Sequence, residues 1–298
     1  MRREFYNLND TLKISHLVVN GCSFTYGSGI ANPVKDSWSS LVAKKLGVPL
    51  VNLSFPGMGN DRMHRQTFNY FYKDLYNDNH PLYIHAYTQS FRREIYESKN
   101  SDSSLIQAYK LVADISANAS DLEKEIILNT DDYQLCLLEL QKLQYWASIN
   151  ALLDTYKVDH LTTDYMPQTD GEIYDWVNKN CYELKTEIET HPAKLRNFDE
   201  ITESISKTRC QHETEEGHAL LADYIYNQIV KRYKDIQVLK ENYSKLSDIL
   251  IESPNVKHLK KVGVDPDHNL LDVTWKNNVY YLNEIGLDYK TINWIGKP

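Results

Sequence analysis

The chain has 298 residues, 42% hydrophobic and 25% charged, enough apolar material for a full core and far too long for a miniprotein held together by disulfides. Its 33 basic and 41 acidic side chains leave a net charge of −8, which argues against nucleic acid as the main partner because phosphate backbones select basic surfaces. Cys22, Cys136, Cys181 and Cys210 stand far apart, without the C-x-x-C spacing of a zinc site or redox pair, so buried reduced thiols are expected.

The N-terminal stretch MRREFYNLND has no apolar run behind its arginines, so neither a signal peptide nor a membrane span is expected, and a cytoplasmic location follows as an expectation. Ile14 to Val19 reads as a buried first strand that passes into a functional loop at Asn20-Gly21. Trp38, Leu41, Val42 and Leu46 then fall at helical spacing, with Gly47 as the stop. PLVNLSF, ending at Phe55, reads as a second strand, and a loop and second helix follow through Tyr76. Leu82, Ile84 and Ala86 alternate with Tyr83, His85 and Tyr87, which predicts a third strand over Pro81 to Thr88.

The polar stretch from Phe91 to Asp132 reads as an insertion with some helix. Gln134 to Tyr156 is a clearer helix, with Leu135, Leu138, Tyr145, Ile149 and Leu152 on one face. VDHLTTDY supplies a fourth strand, and HALLADYIYNQIV the last helix of the main domain. Strands alternating with helices predict a three-layer α/β/α sandwich around a mostly parallel, flavodoxin-like sheet. Residues 1–234 form that domain in this reading. Residues 235–298 form a small C-terminal extension with a helix through Ile251 and a β-hairpin around Lys276-Asn277-Asn278.

Ligands on such sheets bind at the carboxyl ends of the strands, which directs attention to the run VVNGCSFTYGSG. Ser23 sits there just past the first strand. A serine hydroxyl needs a neighbouring base to take its proton, and a tetrahedral intermediate needs donors aimed at its oxyanion. In the loop FPGMGND, Gly57 lets the backbone approach closely and Asn60 offers an amide. His212, on the loop leading into the last helix, is the candidate base.

Taken in order, the blocks GCSFT, NLSFPGMGN and H-x-x-x-x-G-H-x-L-L-A resemble those of the SGNH, or GDSL-type, hydrolases, in a variant associated with phage-encoded members. The resemblance spans about residues 12 to 232 and rests on these three short blocks. It implies Ser23 as nucleophile, the amides of Ser23 and Gly57 in the oxyanion hole, His212 as base, and a small acyl ester as substrate, such as an O-acetyl group on a carbohydrate. Two positions depart from the family pattern. Arg209 stands where the family places the aspartate that orients the histidine, leaving a backbone carbonyl or a carboxylate such as Glu213 for that task. The third strand ends in AYTQSFRRE, without G-x-N-D, so the third oxyanion donor is Asn60 or Gln89. These departures also motivate an alternative, a protein that keeps the fold for binding or structure with little or no catalysis.

Ordinary structural roles compete for several of these residues. Ser23 could cap a turn, Gly57 could serve the turn after Pro56, and Asn60 could cap the helix starting at Asp61. His191, followed by Pro192, is the rival base, and His218 is expected to pack at a helix start. Arg92 and Arg93, at the mouth of the third strand, are candidates for an anionic substrate group. Gly27 to Gly29 lacks the Lys-Ser/Thr of a phosphate loop, and the histidines lack H-E-x-x-H spacing, with His80 and His85 on opposite faces of a strand. Neither cofactor nor metal is expected from these patterns.

Overall fold

A computed structural model describes residues 11–54, 56–57, 59–75, 80–92, 94–97, 107–110, 131–165, 171–208 and 212–239. The expected first strand is two strands. β1 (Thr11–Ile14) and β2 (His16–Gly21) are separated by Ser15, where the chain changes partners. The Ser15 N–H donates to the His80 carbonyl at 2.8 Å, while its Oγ meets Nδ1 of His16 at 2.8 Å. β2 then enters the central sheet.

Helix α1 (Ser23–Tyr26) follows at once, then α2 (Pro33–Asp36) and α3 (Trp38–Leu46). The Ser37 side chain caps α3 by accepting from the Ser40 amide, and the Gly47 amide closes its end on the Ala43 and Lys44 carbonyls. β3 (Leu50–Asn52), α4 (Asn60–Leu75), β4 (Pro81–Tyr87), α5 (Asp132–Thr155) and β7 (His160–Asp164) follow at the places the periodicity predicts; between β4 and α5 lie β5 (Glu94–Glu97) and β6 (Gln107–Lys110). β5 and β6 pair antiparallel. Both strands lie within the stretch expected to be an insertion with some helix; residues 98–106 and 111–130 of it lie outside the described residues.

The central sheet runs β3-β2-β4-β7, with every neighbour parallel. A fifth segment extends it, because the Thr162 amide donates to the Ala193 carbonyl at 2.9 Å and the Leu195 amide donates to Thr162 at 2.8 Å. Between β7 and that segment lie α6 (Gly171–Asn180) and α7 (Tyr182–Glu189), and beyond it α8 (Phe198–Ile201) and α9 (Glu215–Arg232). Both faces of the sheet are covered, so β2 and β4 are buried along their whole length. His16, Tyr83, His85 and Tyr87 face α4 and α5, as the Tyr70–His16, Thr67–His85 and Tyr87–Trp146 contacts record. On the other face α3 packs against α9, where the Trp38 amide donates to Nδ1 of His218.

The chain therefore folds as a three-layer α/β/α sandwich on a parallel sheet. β8 (Asp235–Val238) lies parallel to β1, so the segment just past Lys234 pairs with the start of the described chain. The expected helix through Ile251 and the hairpin at Lys276 to Asn278 lie outside the described residues. Cys22, Cys136 and Cys181 are buried free thiols; Cys210 lies outside the described residues. No helix among the described residues is long and apolar enough to cross a membrane.

Candidate functional site

In this strand order the connection from β2 runs to one side and the connection from β3 returns to the other. The order reverses between β2 and β4, and the carboxyl ends of strands at such a switch point are where sheets of this kind bind ligands. Ser23 opens α1 directly after β2, and it is 6% exposed. As the first residue of a helix, it carries an N–H with no carbonyl of a preceding turn to bond.

The loop after β3 is shaped by two glycines. Gly57 has φ +68°, a left-handed conformation that other residues rarely adopt. Gly59 lies against the main chain of Arg92, so closely that a Cβ would collide with the Arg92 carbonyl. Asn60 is 2% exposed and locks the same loop to the end of β4. Its Nδ2 donates to the carbonyls of Thr88 at 3.0 Å and Gln89 at 3.3 Å, and its Oδ1 accepts from the Thr88 amide at 3.0 Å. Asn60 is therefore neither a simple helix cap nor an idle donor. Both of its amide hydrogens are engaged in holding two loops together, and Gln89, half-buried beside it, is the other candidate donor.

His212 stands just before α9. Its loop is closed by Thr208, whose amide donates to the His212 carbonyl at 2.8 Å and whose Oγ1 accepts from the His212 amide at 3.0 Å. The imidazole lies 4.6 Å, centroid to centroid, from the ring of Phe24, the residue after Ser23. Phe24 also stacks at 5.0 Å on Tyr165, which follows β7, and Tyr165 meets Phe198 at 5.0 Å. An aromatic cluster thus carries the His212 loop onto α1.

The Glu213 carboxylate is directed elsewhere. Its Oε1 accepts from Thr202 at 2.8 Å and from the Lys207 ammonium, and its Oε2 has no hydrogen-bond partner. Glu213 therefore anchors the loop and does not orient the imidazole, which corrects the expectation for that residue. Arg209, Arg93 and Phe55 lie outside the described residues. His191 is excluded as the base by position, since it precedes the Ala193 to Leu195 segment at the amino edge of the sheet and bonds Asp154 at 3.1 Å. His218 packs at the start of α9 as expected, and burial pushes its pKa down to about 4.

Arg92 follows the end of β4, with its carbonyl against Gly59. Its Nε and Nη1 are buried without hydrogen-bond partners among the described residues, an arrangement that costs free energy unless something else satisfies it. Sequence patterns did not single out three further charged groups. Lys142, 2% exposed on α5, meets Asp164 at 2.5 Å and Glu139 at 3.5 Å. Burial alone would lower its pKa, but the two carboxylates outweigh that and raise it. Asp164 and Glu139 line a cavity of about 460 Å³ with Trp146, Tyr174 and Lys194. Burial lowers the Lys194 pKa. Helical periodicity gives no sign of a lysine turned inward, because it counts Lys142 as a surface residue.

No protein-family profile and no curated protein matches the chain. Among solved structures it is similar to a lipolytic protein of the G-D-S-L family from Desulfitobacterium hafniense, with 14% identity over 72% of this chain and 98% of that one and a TM-score of 0.39. It is also similar to the esterase EstA from Pseudoalteromonas, at 11% identity over 75% and 98% of the two chains and a TM-score of 0.40. A family two carbohydrate esterase from Clostridium thermocellum is similar at 12% identity over 74% and 65%, with a TM-score of 0.41.

Proposed function

We propose that the chain is a serine ester hydrolase of the SGNH type. The observation that carries this reading is the meeting of two distant segments at one rim of the sheet, where the His212 ring lies against Phe24, the neighbour of Ser23. In the mechanism His212 takes the Ser23 hydroxyl proton as Oγ attacks the acyl carbonyl carbon. The carbonyl π electrons move to oxygen, and the amides of Ser23 and Gly57, with Gln89 or a released Asn60 amide, receive that charge. Collapse expels the alcohol, which takes the proton from His212, and water then frees the acyl group by the same steps in reverse.

The substrate class is a small acyl ester, with an O-acetylated carbohydrate as the first to test. The unsatisfied Nε and Nη1 of Arg92 favour one that carries an anionic group nearby. A second reading, a binding protein on the same scaffold, is favoured by one observation: the Glu213 carboxylate, the nearest acid in sequence to His212, is committed to Thr202 and Lys207. Hydrolysis of p-nitrophenyl acetate separates the two. The wild type is expected to turn over the ester and Ser23→Ala to lose that activity, at least about 1000-fold, with an unchanged circular dichroism spectrum. Equal rates in the two proteins would refute the enzyme reading.

A further inference from the structure

At the opposite, amino-terminal edge of the sheet, three elements bring one side chain each to a single point. Asp154 comes from the last turn of α5, His160 opens β7, and His191 follows α7. One potential ligand atom from each lies within 4.8 Å of the other two. Nε2 of His191 is 3.1 Å from Oδ2 of Asp154, and Nε2 of His160 is 3.8 Å from Oδ1. Four-coordinate zinc, with bonds of about 2.0–2.1 Å, needs its ligand atoms roughly 3.4 Å apart. Side-chain adjustments of about 1 Å would reach that spacing.

The protonation pattern at His160 suits a cation. Its Nδ1 faces the Val158 carbonyl at 3.0 Å and must donate to it, which leaves the Nε2 lone pair unprotonated. That Nε2 is buried, has no hydrogen-bond partner among the described residues, and lies 3.8 Å from the Asp154 carboxylate. A backbone carbonyl fixing the far nitrogen is the usual support of a metal-bound imidazole. The Arg232 guanidinium lies nearby but is bound to the backbone carbonyls of His160 and Pro192, not to the ligand atoms.

We propose that Asp154, His160 and His191 bind a divalent transition-metal ion, with zinc as the best fit to two imidazoles and one carboxylate. The site joins the end of α5, the start of β7 and the turn after α7, so its role is to staple that edge of the fold. It lies away from Ser23 and does not depend on the hydrolase reading. On binding, the one ring proton of His191, which now faces Asp154 from Nε2, moves to Nδ1 so that Nε2 can ligate the metal, and the 3.2 Å contact from the Ala193 amide to Nδ1 must give way.

The full chain, stripped with a chelator and dialysed, should take up one equivalent of zinc in a calorimetric titration and unfold at a higher temperature when loaded. Asp154→Ala and His191→Ala should each weaken that binding about 100-fold or more and abolish the thermal shift. Should either variant fail to fold, the wild type still decides the matter, because zinc should protect His191 from diethyl pyrocarbonate modification. The absence of saturable binding, wild-type affinity in both variants, or no protection of His191 would overturn the proposal.

Discussion

Single side chains decide whether the rim of this sheet can do chemistry, and Asn60 is the most informative. Its residue type suggested an oxyanion donor or a helix cap. The fold uses both ends of its amide to tie the loop after β3 to the end of β4. Removing it strands the Thr88 amide and carbonyl in a buried site, at a cost of about 1–3 kcal/mol. Asn60→Ala should therefore lower stability by that amount in urea unfolding and also slow ester hydrolysis, because Gly57 and Gln89 lose their fixed spacing. Unchanged stability would mean the bridge carries little. Sequence could nominate Ser23, Gly57 and His212 from spacing and order, but it could not assign Glu213. Whether that carboxylate faces His212 or Lys207 depends on the turn closed by Thr208, which leaves no trace in residue type.

Among the elements, those with long, clean periodicity were legible. The helix over 132–155, the strand over 81–87 and the helix over 215–232 lie within a few residues of the reading from pattern alone. Short pieces were not. β1 is four residues long, and its partner β8 lies more than two hundred residues away, so nothing local marks the break at Ser15. The strands at Glu94–Glu97 and Gln107–Lys110 went unread within a stretch taken as an insertion with some helix, because a polar stretch carries little periodic signal. The Asp154, His160 and His191 cluster escaped for a related reason. Its members are brought together by packing of three elements, with none of the fixed spacing that a motif on one helix would show.

Over the whole molecule, the buried histidines couple the fold to pH. Burial lowers the pKa of His16 and His85 to about 3 and that of His218 to about 4, all from 6.5. The unfolded chain binds protons at these positions below pH 6.5, and the folded chain does not until pH falls toward 4 and 3. The stability is thus fully present above pH 6.5 and is lost as pH falls through the window between those values. Each unit within it costs about 1.4 kcal/mol per histidine, so stability at pH 5.5 should be about 4 kcal/mol below that at pH 7.5. That is a large share of a typical folding free energy, and urea unfolding at the two pH values measures it. Equal midpoints would mean that these rings accept protons without cost.

The central claim, that Ser23 is a nucleophile activated at the rim of the sheet, has a direct chemical test. A fluorophosphonate probe reacts with an activated serine, and peptide mass spectrometry locates the adduct. Stoichiometric modification of Ser23, lost in His212→Ala, is the expected result. An unmodified Ser23 under conditions that label a known serine esterase, or equal labelling without His212, would contradict it.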